Sequence, residues 1–353
     1  MEKKHIRLSS LDSLRGVAIT MVVAFHASVP FQFQGSLQSL LSIGNLGVQL
    51  FFLISAFTMC FMWDERASES RRTVKFYIRR FFRIAPLYWF ALVLYFFIGY
   101  FSGFKSTGSQ LNPSSTQVIV LTLTFLHGFF PTAINSAVPG GWTIAIEMGF
   151  YALFPLLMSF NLKPVYMLLF GFVYYLLIGV IGSGLLEHFF QLPPLFIYYS
   201  QLTQFPIFPI GICIYMLSFR RQLDNEFWVL AQIVLWIVFS FSAHYLLKIE
   251  TRPFFWTPIF IFAATLYLFV RRKISLPFFS ELGTLSYSMY LFHFAIIFLF
   301  DRFIPLEWRG NAVAFAAFFF FILMISALVG KLSRATFERW SSIVAKKLVA
   351  RIG

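Results

Sequence analysis

The sequence predicts an all-α, polytopic membrane protein of about ten transmembrane helices. Both termini are expected in the cytoplasm, with one re-entrant or interfacial segment near 116–130. Three observations predict this. Of 353 residues, 59% are hydrophobic and only 12% are charged, about half the charged share of a soluble domain. Apolar runs of about 18–20 residues recur along nearly the whole chain, each long enough to cross a hydrocarbon core about 30 Å thick. Finally, the Lys and Arg residues collect in a few short connections that fall on one side of a ten-span arrangement.

The spans are placed near 14–33, 44–63, 84–101, 142–160, 164–182, 195–218, 227–247, 255–270, 285–303 and 311–330. The N-terminus "MEKKHIRLSS" is basic, but the run after it has no small-residue cleavage site. It therefore reads as a retained first span and not a signal peptide. Between the second and third spans, residues 64–83 carry seven basic residues and are expected on the cytoplasmic side. The connection at Arg220-Arg221, that at Arg271-Arg272-Lys273 and the tail from Lys331 are basic too, and belong on the same side. This leaves 31–43, 102–141, 183–194, 248–254 and 304–310 on the far side.

The 102–141 connection is the longest of these and is rich in Ser, Thr, Gly, Pro and Asn; a loop of that length usually has a job. Within it, 116–130 ("TQVIVLTLTFLHGFF") is apolar but short, and carries Thr122, Thr124, His127 and Gly128. Counting it as an eleventh span would flip everything after 142 and put the basic connections outside. It is expected to dip in or lie along the membrane, which is tolerated only where protein or a cavity surrounds it. No internal repeat of fixed period is visible, as a transporter built from inverted repeats would tend to show. No polar stretch is long enough for an attached soluble domain, so residues 1–353 are expected to form a single transmembrane domain.

Composition also excludes. A net charge of +14 raises the question of nucleic acid, but in a membrane protein the positive-inside bias accounts for it. Cys60 and Cys213 are the only cysteines and sit in apolar runs, which argues against a disulfide framework or a thiolate metal site. The histidines are too scattered for a metal-ligand spacing, and no metal is expected.

Four groups of residues could carry chemistry. In "LDSLRGVAITMVVAFHASVPF", Arg15 and His26 are eleven positions apart, which places them within about 20° on one helix face and about 16 Å apart along it. Asp12 lies one turn before Arg15 and could pair with it. These residues are either an interfacial anchor and a helix-packing histidine, or a cation and a proton carrier at membrane depth. In "RRFFRIAPLYW", Arg79, Arg80 and Arg83 stand directly before a span. Positive-inside anchoring explains the charge, while Arg80 and Arg83, three apart, could grip a phosphorylated group. In "GGWTIAIEMGFYALFP", Trp142 fits an interfacial anchor. Glu147 and Tyr151 are four apart, and a carboxylate about one turn inside a span is costly unless partnered. In "GTLSYSMYLFHF", Ser286, Tyr290 and His293 fall within about 60° on one face, as hydrogen-bonding groups between helices or as a site. His127, His188 and His244 lack such company and read as structural or loop residues.

Together, "LDSLRGVAITMVVAFH", "GVQLFFLISAF", "RRFFRIAPLYW", "WTIAIEMGFY", "GTLSYSMYLFH" and the late "FERW" resemble the membrane acyltransferase-3 family, in its order and over about residues 11 to 340. The resemblance implies an integral membrane O-acyltransferase of the cell (cytoplasmic) membrane. Its donor would be an acyl-CoA, usually acetyl-CoA, and its acceptor a hydroxyl of a surface glycan or of its lipid-linked precursor. In that family the Arg and His of the first span and the Arg-x-x-Arg pair are functional, here Arg15, His26, Arg80 and Arg83. On this reading His26 and Glu147 serve catalysis, with His26 as base or acyl relay. Arg15, Arg80 and Arg83 hold coenzyme A, and Trp142, Tyr151, Tyr290 and His293 meet the acceptor. Two positions depart from the family's pattern: Ala56 stands where Gly is common, and Gln49 where Asp is. Transfer of another acyl group such as succinyl, or a transporter or flippase of lipid-linked sugars, are the rival readings.

Overall fold

The computed structural model describes residues 8–102, 115–219, 226–245 and 253–352. The Arg220-Arg221 connection, part of the 102–141 segment, most of 248–254 and the side chain of His244 lie outside the described residues. Among those described, the chain is helical throughout and has no strand. Seven helical stretches are long and apolar enough to cross a membrane: Ser9–Phe31, Gly35–Glu65, Arg72–Phe101, Trp142–Ser159, Gln201–Phe219, Pro277–Phe303 and Ala312–Arg351. Three shorter apolar helices, Pro164–Ile178, Ala231–Ser242 and Trp256–Arg271, occupy the other three predicted positions. The protein is a multi-pass membrane protein.

Five helices build the part that matters for function, with one short helix packed beside them: α1 Ser9–Ser28, α2 Gly47–Glu65, α3 Arg72–Ser102, α4 Thr116–Leu123, α5 Trp142–Ser159 and α6 Pro277–Phe300. The helix α3 has 31 residues and rises about 46 Å, more than the hydrocarbon needs. Its basic first turns therefore extend beyond the apolar part. Helix α1 packs chiefly on α6 and also on α2. The α1–α6 crossing is a backbone contact. A Cβ on Gly16 would overlap the carbonyl of Phe279, and one on Gly283 the carbonyl of Asp12. Small residues allow such close approach between helices in lipid, where packing takes the place of a hydrophobic driving force. The two helices run parallel, and one offset, 267 residues, relates Gly16 to Gly283 and His26 to His293.

The 116–130 segment folds as the sequence suggested. The Ser115 hydroxyl caps α4 by accepting from the Val118 N–H at 3.3 Å, and α4 ends before Phe125, whose φ of 62° is left-handed. Eight residues rise about 12 Å, too little to cross. The Trp89 indole of α3 donates to the Leu123 carbonyl at 3.1 Å, so the segment lies against protein. The stretch that follows is packed inside the protein and not a solvated loop, because residues 133–141 are buried. A buried loop must satisfy its own backbone. Here the Asn135 side chain accepts from the Gly140 N–H at 2.9 Å, and the Gly140 carbonyl accepts from the hydroxyls of Thr143 and Tyr290 at 2.9 and 3.1 Å. Gly140 has φ +73°, which favours glycine.

Candidate active site

Helices α1, α2, α3, α5 and α6 enclose a cavity of about 440 Å³, within the about 300–1,000 Å³ common for small-molecule sites. Six of the nine residues singled out from the sequence line it: Arg15, Arg80, Arg83, Glu147, Tyr151 and Tyr290. They come from four helices, and each is aimed inward by its turn of an otherwise apolar span.

The three arginines differ in their partners. On α1, Arg15 donates to the Asp12 carboxylate at 3.0 Å and to the Thr58 hydroxyl at 2.6 Å, the i,i+3 pairing expected from spacing. Arg83 reaches Glu338 at 3.3 Å, and that carboxylate also accepts from the Ser288 hydroxyl at 2.6 Å. Arg80 is stacked over Tyr151 and Phe76, 5.6 and 5.8 Å from the ring centres, and among the described residues no carboxylate stands within ion-pair distance of it. The remaining arginine of the "RRFFR" run, Arg79, is held bidentately by Glu69 at 2.7 and 2.8 Å, and it does not line the cavity. The cavity thus has a cationic wall, in which Arg80 makes no ion pair with a described carboxylate.

Glu147 is partnered, as its depth requires. Its Oε1 accepts from the Ser55 hydroxyl at 2.5 Å and from the Tyr151 hydroxyl. Two O–H donors on one carboxylate oxygen satisfy it within an otherwise apolar span.

The histidines form a second group next to the cavity. His26 Nδ1 lies 3.1 Å from His293 Nε2, and both rings pack on Phe294, with centroids at 4.3 and 4.2 Å. His293 is fully buried, whereas His26 keeps part of its surface accessible. Tyr290 links the two groups. It lines the cavity, and it stands three residues, about 4.5 Å of helix rise, before His293. Trp142 is elsewhere: it is buried, stacked on Tyr199 at 4.5 Å and edge-on to Phe52 at 6.3 Å, and packs the wall from behind.

Sequence reasoning did not single out Ser55, Thr58, Ser288 or Glu338 as site residues. Glu338 had a signal, as the acid of "FERW", but no spacing rule connects it to Arg83, 255 residues away. His127, read as structural, is buried beside the site. Its Nε2 is 3.2 Å from the Tyr88 hydroxyl and 3.0 Å from the Gly141 carbonyl. It lies outside the membrane-spanning helices, and burial pushes its pKa below the usual histidine range. His188 is exposed. Gln49 is fully buried and donates to the Gln204 side chain at 3.1 Å, so it holds two helices together.

Comparisons with known proteins agree with this architecture. A family profile described as "Acyltransferase domain" matches residues 8–331, and so covers every residue that lines the cavity. "Acyltransferase MdmB" of Streptomyces mycarofaciens is 30% identical over 163 residues, 44% of this chain and 40% of that protein. "Putative O-acetyltransferase" of Staphylococcus aureus (strain COL) is 22% identical over 332 residues, 84% of this chain and 51% of that protein, and the protein of the same description in strain MSSA476 matches identically. The chain spans about half the length of these curated relatives, or less. No solved structure matches it.

Proposed function

We propose that this protein, which belongs to the acyltransferase-3 family, transfers an acetyl group across the cytoplasmic membrane. Its donor is cytosolic acetyl-CoA, and its acceptor is a hydroxyl of a cell-surface glycan or of its lipid-linked precursor. The chain crosses the membrane ten times on this reading, with both termini cytoplasmic. The coincidence of seven long and three shorter apolar helices with the ten predicted positions, and the positive-inside bias, support that topology.

The observation that carries the reading is the cavity's polarity. One wall holds Arg15, Arg80 and Arg83, and Arg80 has no carboxylate of its own among the described residues. Acyl-CoA is anionic at its nucleotide end and narrow and uncharged at its thioester end. Guanidinium groups suit the phosphates, and an apolar passage suits the pantetheine arm. Helix α1 connects the two functions, since His26 lies about 16 Å beyond Arg15 along it. A charged cofactor therefore need not cross, because only its acyl group has to reach the histidine.

The chemistry then balances simply. The acceptor oxygen attacks the thioester carbonyl while His26 takes the hydroxyl proton. A C–O bond forms, the C–S bond breaks, and the departing thiolate takes the proton from His26. In the two-step variant His26 itself accepts the acyl group first and the hydroxyl then removes it. Glu147, held by Ser55 and Tyr151, offsets the positive wall and orients Tyr151 beneath Arg80. Tyr290, which lines the cavity next to the histidine pair, provides an aromatic surface on the acceptor side.

Mass spectrometry of surface glycans with and without the gene tests this. A mass difference of one acetyl group per modified sugar is expected. A difference of one succinyl group would keep the reaction class and change the donor. Unchanged acylation together with loss of surface glycan would overturn the reading in favour of a sugar-lipid flippase.

A further inference from the structure

His293 was expected to meet the acceptor, but it has no accessible surface and its hydrogen bonds lead to His26. Those bonds determine where each proton sits. His293 Nδ1 is 2.7 Å from the Tyr290 carbonyl and 3.2 Å from the Met289 carbonyl. Carbonyl oxygens only accept, so Nδ1 carries the hydrogen. A neutral imidazole then has its lone pair on Nε2. That nitrogen is 3.1 Å from His26 Nδ1, so the hydrogen between the rings belongs to His26 Nδ1. The Val22 carbonyl, 3.0 Å from the same atom, requires the same assignment. His26 Nε2 is left with the lone pair, on the ring that keeps accessible surface.

We infer that His293 is a positioning residue that holds His26 in the Nδ1–H tautomer, so that its Nε2 is the atom that takes the acceptor's proton. The inference rests on His26 being the base or acyl relay. When His26 Nε2 gains a proton, the Nδ1–H···Nε2 bond to His293 becomes charge-assisted and strengthens. The carbonyls of Tyr290 and Met289 share the load from behind. A carboxylate does this in hydrolase triads, where losing the correct tautomer costs about 10⁴ in rate. Here a neutral ring does it, at a depth where a buried charge is expensive. Reach is set by the Gly16–Gly283 crossing, which has the same 267-residue offset as the histidine pair.

The test uses the full chain in nanodiscs, labelled with ¹⁵N-histidine, and the His26 signals are assigned by difference against His26→Gln. Wild-type His26 should be the Nδ1–H tautomer. His293→Leu leaves the Val22 carbonyl as the one remaining acceptor at His26 Nδ1 and should raise the Nε2–H share part of the way, whereas His293→Gln, whose side-chain oxygen can replace the Nε2 acceptor, should keep it at the wild-type level. In transfer assays His293→Leu should lower kcat at least about tenfold with the KM for acetyl-CoA unchanged, and His293→Gln should recover part of it. An Nε2–H tautomer at His26 in the wild type would overturn the inference, and this arm needs no position-293 variant to fold. So would an unmoved His26 tautomer in His293→Leu, or a raised acceptor KM at full kcat. Failure of the underlying reading looks different: His26→Gln would remain active whatever the spectra show.

Discussion

Gly283→Ala should disable the site from about 15 Å away. The added Cβ would overlap the Asp12 carbonyl on α1, and backbone cannot rotate aside as a side chain can. The helices must part by more than about 1 Å before the contact reaches the about 3.3–3.6 Å of an ordinary C···O approach. His26 and His293 are joined at 3.1 Å on the same two helices, and a shift of that size takes them out of hydrogen-bond range. The bond lost is charge-assisted in the transition state, about 1.5–3 kcal/mol. At about 1.4 kcal/mol per factor of ten, kcat should fall about ten- to 150-fold. Overpacking also costs about 1–3 kcal/mol of stability. The control is Gly330→Ala, where the new Cβ meets Leu285 Cβ at 3.1 Å, so the neighbouring helix need give by only a few tenths of an ångström. Single-turnover transfer in proteoliposomes, normalised to folded protein, compares the two. Equal kcat for both variants would refute the idea that the crossing sets the histidine pair.

Other consequences are open to test. His26→Gln keeps hydrogen bonding but not basicity, so transfer should fall by about 10²–10⁴ with the protein inserted; near-normal acylation would remove His26 from the mechanism. Arg80→Ala should raise the KM for acetyl-CoA about tenfold or more, and Arg83→Ala less, because Glu338 already occupies part of Arg83 and a charge-assisted phosphate contact contributes about 1.5–3 kcal/mol. Equal effects, or none, in initial-rate measurements would return both to plain anchoring. His127 is held neutral by burial, while unfolded histidine titrates near about 6.5. The unfolded chain therefore binds the extra proton first, and stability present above about pH 6.5 is lost as the pH falls. Thermal unfolding in detergent should show that slope, and His127→Phe should flatten it.

The all-helical, multi-pass character and the positions of the apolar helices were readable because spanning length is a one-dimensional property. The cavity was readable in part. Arg15, Arg80, Arg83, Glu147, Tyr151 and Tyr290 all face it, because an ionisable or hydroxyl-bearing residue inside a span has few affordable places to point. Partners were not readable. Nothing in "RRFFR" says that Glu69 takes Arg79 and Glu338 takes Arg83 while Arg80 stays unpaired among the described residues. Residues 133–141 read as a loop because Pro, Asn, Ser and Gly favour turns in any solvent. Their burial depends on Tyr290 and Thr143 arriving from other helices. Trp142 could be an interfacial anchor or a ligand contact by composition, and its stacking on Tyr199 is a third outcome that only packing decides.

The site's division of labour follows from what each depth tolerates. Ionisable groups cluster at the cavity and around its rim, where Asp12 pairs with Arg15, Glu338 with Arg83, and the hydroxyls of Ser55 and Tyr151 hold Glu147. Farther along α1 no carboxylate among the described residues is bonded to His26, and the groups hydrogen-bonded around it are a second imidazole and backbone carbonyls. A carboxylate there would cost several kcal/mol to desolvate, whereas a neutral imidazole is cheaper to bury and still accepts a hydrogen bond. On the proposed reading, the basic nitrogen is then poised without a carboxylate hydrogen-bonded to its ring. The cost is geometric: two neutral rings give a weaker hold than an ion pair, so their separation must be set by the backbone. Gly16 and Gly283 provide that setting, and a change at either should therefore be felt as lost chemistry before it is felt as lost fold.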